Sequence, residues 1–271
     1  MRGYDDRPSV KAPNWHGLVV ADILFNNLCT GLFLIAALGD LAAPARFAAT
    51  ARVAYPVALG LLILDIVCLV LDLGDPLRFH HMLRVFKLRS PMSVGTWSLV
   101  TLSLGLGVLG AMTILGFGSG WDGVRRVLAA VGLIPALVAA MYKGVLFSTT
   151  AQPGWRDARW LGGYLASSAV LLGCAELLLL AIILGQIGPI APLRGATLAL
   201  LVMNGIGLAL VVKDVPRLRG ASAIAGVVGL VAPLALLWWS GMAAFVGAVV
   251  LIVAGAVVFR RALVYLPHRG G

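Results

Sequence analysis

Apolar residues in this chain gather in long continuous blocks rather than alternating or recurring on a single stripe. About eight blocks reach some 20 residues, the length a helix needs to cross the hydrocarbon core of a bilayer. A membrane barrel would show short segments that alternate residue by residue, and these blocks do not. The pattern predicts transmembrane helices over 17–38, 53–73, 94–117, 127–147, 161–187, 196–213, 221–239 and 242–259. Only Trp238, Trp239, Ser240 and Gly241 divide the last two, and paired Trp suits a membrane interface. No polar stretch between blocks exceeds about 20 residues, too few for a soluble domain of its own.

Composition agrees. Of 271 residues, 61% are hydrophobic and 12% charged, against about 25% charged in soluble domains. The net charge of +10 falls in loops at the membrane ends, where it sets orientation and meets lipid headgroups. With no basic groove to hold it, nucleic acid is excluded as a partner and membrane lipid takes its place. An even number of crossings puts both termini on one side. That side receives fifteen Lys and Arg: Arg2, Arg7, Lys11, Arg78, Arg84, Lys87, Arg89, Arg156, Arg159, Lys213, Arg217, Arg219, Arg260, Arg261 and Arg269. The other side receives five: Arg46, Arg52, Arg125, Arg126 and Arg194. The positive-inside rule then places both termini in the cytoplasm and the chain in the cell's inner membrane. The first residues carry no apolar core with a small-residue cleavage site, so neither a cleaved signal peptide nor a twin-arginine signal is expected.

Ionisable residues inside the apolar blocks change the picture. Asp22, Asp65, Lys143 and Glu176 all lie within predicted spans, with Asn26, Asn27 and Tyr142 nearby. A charge at membrane depth costs at least ~2.5–3.5 kcal/mol, which makes each a functional candidate. Helical rise puts Asp22 roughly 8 Å and Asp65 roughly 12 Å below the basic face, with Tyr142 at a similar depth. Asp22 and Asn26, four residues apart, share a helix face. Tyr142 can donate a hydrogen bond to a carbonyl oxygen, and Asp22 can exchange a proton. The alternatives are a buried Asp–Lys pair, or Asp65 paired with Arg78. Glu176 and Asn204 are candidates for a proton path towards the other side, or for plain interhelical hydrogen bonds.

The remaining chemistry is narrowed by what the spans lack. His16, His80, His81 and His268 stand at a helix entrance, in a loop and in the tail, so no pair can hold a haem between facing helices. Cys29, Cys68 and Cys174 have neither paired spacing nor His neighbours, which argues against a metal site or an iron–sulfur cluster. If the chain handles electrons, a diffusible carrier such as quinone brings them.

Two stretches carry a resemblance. Residues 74–97, GDPLRFHHMLRVFKLRSPMSVGTW, resemble the (D/E)xPxRF…SPMxxGxW loop of the NrfD/PsrC family of quinone-reactive membrane subunits. Residues 141–155, MYKGVLFSTTAQPGW, resemble that family's Y-x-G-x-L…PxW segment, and Trp15 with Gly31 matches a third region. The resemblance implies an all-α membrane protein of eight helices in two four-helix bundles. Residues 1–16 form a cytoplasmic segment, 17–147 the first bundle with the quinone site, 148–259 the second, and 260–271 a cytoplasmic tail.

It also implies menaquinone or ubiquinone as cofactor, a ferredoxin-like iron–sulfur partner and a molybdopterin-type catalytic subunit. Tyr142 matches the family's quinone-site tyrosine. Asp22 stands where the family can offer a His, and an apolar residue stands where it can offer an Asn. Either Asp22 replaces the His, or Asn26 and His16 share its work, with Asp65 completing the quinone-binding set. Arg78, His80, His81 and Arg89 are candidates for partner docking or the site entrance, beside a purely topogenic role. The competing reading is a proton- or cation-coupled secondary transporter using Asp22, Asp65 and Glu176. Such proteins show internal repeats and broken helices, and the sequence shows neither clearly. A purely structural anchor is the third reading.

Overall fold

The computed structural model describes residues 17–152, 154–239 and 241–269. Eight helices are long and apolar enough to cross a membrane: α1 (Gly17–Ala42), α2 (Pro44–Leu71), α3 (Pro91–Ile114), α4 (Asp122–Ser148), α5 (Leu161–Ile183), α6 (Ile190–Asp214), α7 (Pro216–Trp238) and α8 (Met242–Val264). No strand occurs among the described residues. Within hydrocarbon every backbone polar group must be satisfied by the protein itself, and a continuous helix does this inside its own segment. The chain is an all-α membrane protein.

Packing arranges the helices as two rings. In the first, α1 packs on α2 and α4, and α3 closes the ring against both. In the second, α5 packs on α6 and α8, with α7 between those two. The seam is made mainly by α1 against α5 and α8, and α4 against α5. At its centre α1 and α5 touch backbone to backbone. A Cβ on Gly31 would lie 1.8 Å from the Ala169 carbonyl oxygen, and one on Gly173 would lie 2.0 Å from that of Gly31. Glycine is what lets these two helices approach so closely.

Several helices are longer than the apolar blocks predict, and the extensions matter. α2 begins at Pro44 rather than near 53, because α1 and α2 are joined by Ala43 alone. Pro44 occupies the first turn, where its missing N–H costs nothing. The Ala-rich stretch that follows propagates the helix well, so Arg46 and Arg52 sit on α2 rather than in a loop. α4 begins at Asp122, which brings Arg125 and Arg126 onto that helix. α8 runs to Val264 and takes in Arg260 and Arg261. Arg260, assigned by the sequence to a polar tail, is instead fully enclosed.

Candidate functional site

Five positions on three helices converge near the end of the first ring that carries the 72–90 loop. Asp22 and Asn26 lie one turn apart on α1, Asp65 lies on α2, and Tyr142 and Lys143 are adjacent on α4. Asp22, Asn26, Asp65, Tyr142 and Lys143 are all buried. The Lys143 ammonium is 2.8 Å from Asp22 Oδ1 and 2.7 Å from Asp65 Oδ1. It also donates to the Asp22 backbone carbonyl at 3.1 Å. Asn26 Nδ2 donates to the second oxygen of Asp65 at 3.1 Å. One buried cation therefore serves two buried carboxylates. If both acids are ionised the group carries a net negative charge; neutrality requires one extra proton. Either state is a proton-exchanging one, provided the group has access to something that gives or takes protons.

Beside the group lies a cavity of about 230 Å³. Asp22, Asp72, Tyr142 and Lys143 supply polar lining; Val19, Leu146 and Phe147 are among its apolar walls. Met82 from the 72–90 loop and Met92 from α3 also face it. Pockets for drug-sized molecules run to ~300–1,000 Å³, so this space suits one compact ring system rather than a large ligand. Tyr142 is held by α3. A Cβ on Gly95 would fall 2.1 Å from Cδ2 of the tyrosine ring, so the ring lies flat against bare backbone there. This gives a physical reason for a glycine within SPMSVGTW: a side chain would displace Tyr142. The ring also lies beneath the Lys143 ammonium, 5.7 Å from its centroid, within the range of a cation–π contact.

A family profile described as polysulfide reductase, NrfD type, matches residues 8–266. The chain belongs to the NrfD family. No curated protein matches it significantly. Membership makes this NrfD chain a multi-pass membrane subunit of a redox complex.

The sequence-predicted residues fall into distinct groups in this NrfD protein. Asp22 and Tyr142 meet at the cavity. Asp65 and Asn26 stand behind it, bonded to each other, with Asp65 also accepting from Lys143, rather than lining the space. His16 lies outside the described residues. Arg78 pairs with Asp75 at 2.9 Å, not with Asp65. His80 and His81 are exposed, edge to face with centroids 4.4 Å apart, and Arg89 is exposed on the same loop. Asn204 donates to the Ser167 carbonyl at 3.0 Å. Ser167 and Glu176 are nine positions apart on α5, a rise of about 13 Å, so Asn204 and Glu176 occupy different depths. Glu176 has one enclosed oxygen without a hydrogen-bond partner among the described residues.

The sequence missed the interior place of Asp40, Arg125 and Arg260, and the role of Lys143. Lys143 was legible as an interior cation, but not as the hub joining both acids. Asp40 and Arg125, placed near helix ends, pair in the interior at the opposite end of the first ring. Arg260 donates to Asn27 Oδ1, to Ser168 Oγ at 3.2 Å and to the Ala256 carbonyl at 3.1 Å. Asn27 in turn donates to the Ala140 carbonyl at 3.0 Å, so this one amide ties α1 to α4 and α8 across the seam. A helical pattern carried five residues past the last apolar block was the signal for Arg260.

Proposed function

We propose that this chain is the quinone-reactive membrane subunit of a multisubunit oxidoreductase. It exchanges electrons between a menaquinone or ubiquinone pool and a ferredoxin-like iron–sulfur partner, which serves a molybdopterin-type catalytic subunit. The observation that carries this reading is a cavity sized for one ring whose lining includes Asp22, Asp72, Tyr142 and Lys143. Interconversion of quinone and quinol moves two electrons and two protons, and the protein must handle the protons. The Tyr142 hydroxyl donates a hydrogen bond to one carbonyl oxygen. Asp22 exchanges a proton at the same place. Lys143 holds Asp22 in position and shares its charge with Asp65, which Asn26 fixes from behind. The apolar walls keep bulk water away, so protons pass through the acidic group rather than freely.

The loop carrying Arg78, His80, His81 and Arg89 borders the cavity through Met82, and its exposed basic face suits an acidic docking partner. With Arg260 and Arg125 counted as interior, fourteen basic residues remain on the terminal side and four on the other. This balance supports cytoplasmic termini and a cytoplasmic docking face in the inner membrane. The transporter reading draws less support. Its helices are broken at mid-membrane, whereas the eight described spans run continuously, save a single π-helical turn at Val227–Val231 in α7.

The test uses the intact complex, purified with its iron–sulfur partner. Tyr142→Phe and Asp22→Asn should each lower quinol turnover by about 10²-fold or more, the usual weight of a positioned proton-transfer group. Subunit composition should stay the same. Unchanged turnover in both variants would leave this chain a structural anchor.

A further inference from the structure

Away from the quinone reading, and independent of it, α6 and α7 diverge to leave a groove of about 490 Å³. Its walls are apolar through Leu201 and Leu208 of α6 and Leu234 of α7, but its upper end is not. Arg219 and Ser222, one turn apart at the start of α7, both line it. Arg219 has no acidic partner among the described residues. Ser222 is 4% exposed, and its hydroxyl has no hydrogen-bond partner among the described residues. A buried hydroxyl without a partner carries a desolvation cost, which a ligand acceptor in the groove would remove.

Geometry and charge fit one occupant. Arg219 stands at the membrane edge on the basic side, where phosphate headgroups lie. From Arg219 to Leu234 the helix rises about 22 Å, more than the ~15 Å half-thickness of a hydrocarbon core. We propose that this groove seats a single phospholipid, its phosphodiester paired with Arg219, an ester carbonyl accepting from Ser222, and one acyl chain lying between α6 and α7. Guanidinium is well matched to phosphate oxygens. Below Ser222 the groove offers only apolar contact, as an acyl chain requires. Bulk lipid wets the whole outer surface; the distinguishing feature here is a headgroup pair fixed above a slot for one chain.

The intact complex, washed in mild detergent, should keep one phospholipid per copy of this chain, read by native mass spectrometry and phosphorus assay. Arg219→Gln combined with Ser222→Ala should speed its loss about tenfold, the effect of removing a charge-assisted hydrogen bond. Arg219→Lys should retain it. Gly205→Leu fills the groove from the opposite wall, where the nearest atom to a new Cβ is Leu230 Cδ1 at 3.9 Å; that variant should fold, and exclude the lipid. Equal retention in the Arg219→Gln, Ser222→Ala protein overturns the proposal. So does a retained mass that is a quinone or a polypeptide, or a washed native complex with no phospholipid.

Discussion

The same three helices, α1, α2 and α4, bury a polar group at each end of the first ring, and the two groups are connected differently. At one end Lys143 serves Asp22 and Asp65. At the other, Arg125 grips Asp40 with both prongs, Nε to Oδ2 at 3.0 Å and Nη2 to Oδ1 at 3.1 Å. Tyr55 donates to the same carboxylate at 3.2 Å, and Asp122 joins Arg125 to Arg52 at 3.2 and 2.9 Å. Two arginines against two aspartates balance, and Asp40 accepts a hydrogen bond at each oxygen, from Arg125 Nη2 and from Tyr55. This end borders a surface hollow of about 330 Å³, but what faces the hollow is already paired. The Lys143 end has one cation bonded to two acids, and lies beside a cavity that Asp22, Tyr142 and Lys143 line. A cluster whose charges balance holds helices in register; an unbalanced one beside a cavity can move protons. Burial and charge alone do not separate them, whereas stoichiometry and access do.

The largest expected effect comes from removing each hub. Taking away one partner of a buried ion pair costs ~3–5 kcal/mol, because the other charge stays buried without it. Lys143→Met and Arg125→Met should both lower the thermal stability of the purified complex by comparable amounts. They should part in catalysis. Turnover per assembled complex should fall at least ~10-fold in Lys143→Met, since Asp22 is no longer positioned, and stay near wild type in Arg125→Met. Equal losses of turnover would erase the distinction between the two ends.

How far the sequence carried follows from where charges sit relative to the apolar blocks. Eight spans were legible because a run of some 20 apolar residues has one stable solution in a bilayer. Asp22, Asp65, Lys143 and Tyr142 were legible as candidates because they interrupt such runs. Asp40, Arg125 and Arg260 were not, because they stand just beyond the runs, where a charge is ordinarily solvated. Only the helical continuation and a partner on another helix bring them inside. The pairing itself was beyond reach: Asp65 finds Lys143 across 78 positions, and nothing local forbids the rival pairing with Arg78. Asn26 and Asn27 look alike in sequence, yet one faces the acids and the other Arg260.

A second contrast needs only a methyl group at each end. Gly95→Ala would drive a Cβ to 2.1 Å from the Tyr142 ring, and Gly132→Ala would drive one to 2.4 Å from Cζ of Phe33. Phe33 packs on Tyr55, with centroids 6.0 Å apart, at the Asp40 end. Both rings must shift. A displacement of ~1 Å in a reacting arrangement costs up to ~10²-fold in rate, so Gly95→Ala should depress quinol turnover sharply. Gly132→Ala should lower the melting temperature and leave turnover per complex unchanged. The stability assay confirms that both substitutions are felt; the rate assay tells which ring does chemistry.

The smallest effect concerns the support around the cavity. Trp155, fully buried in the QPGW stretch, donates from Nε1 to the Leu263 carbonyl at 2.8 Å. Its ring meets Phe147 edge on, with centroids 4.7 Å apart, and Phe147 is a cavity wall. Trp155→Phe keeps an aromatic body but leaves that carbonyl without its indole donor, a loss of ~1 kcal/mol. The melting temperature should fall by about 2–4 °C for a chain of this size. Tyr142, Asp22 and Lys143 are untouched, so kcat should hold. KM for quinol should rise by less than about tenfold as the Phe147 wall loosens. A fall in kcat with KM constant would instead mean that the loop after α4 governs the acidic group directly. The unbalanced cluster would then depend on more than its own three helices, unlike its balanced counterpart at the other end.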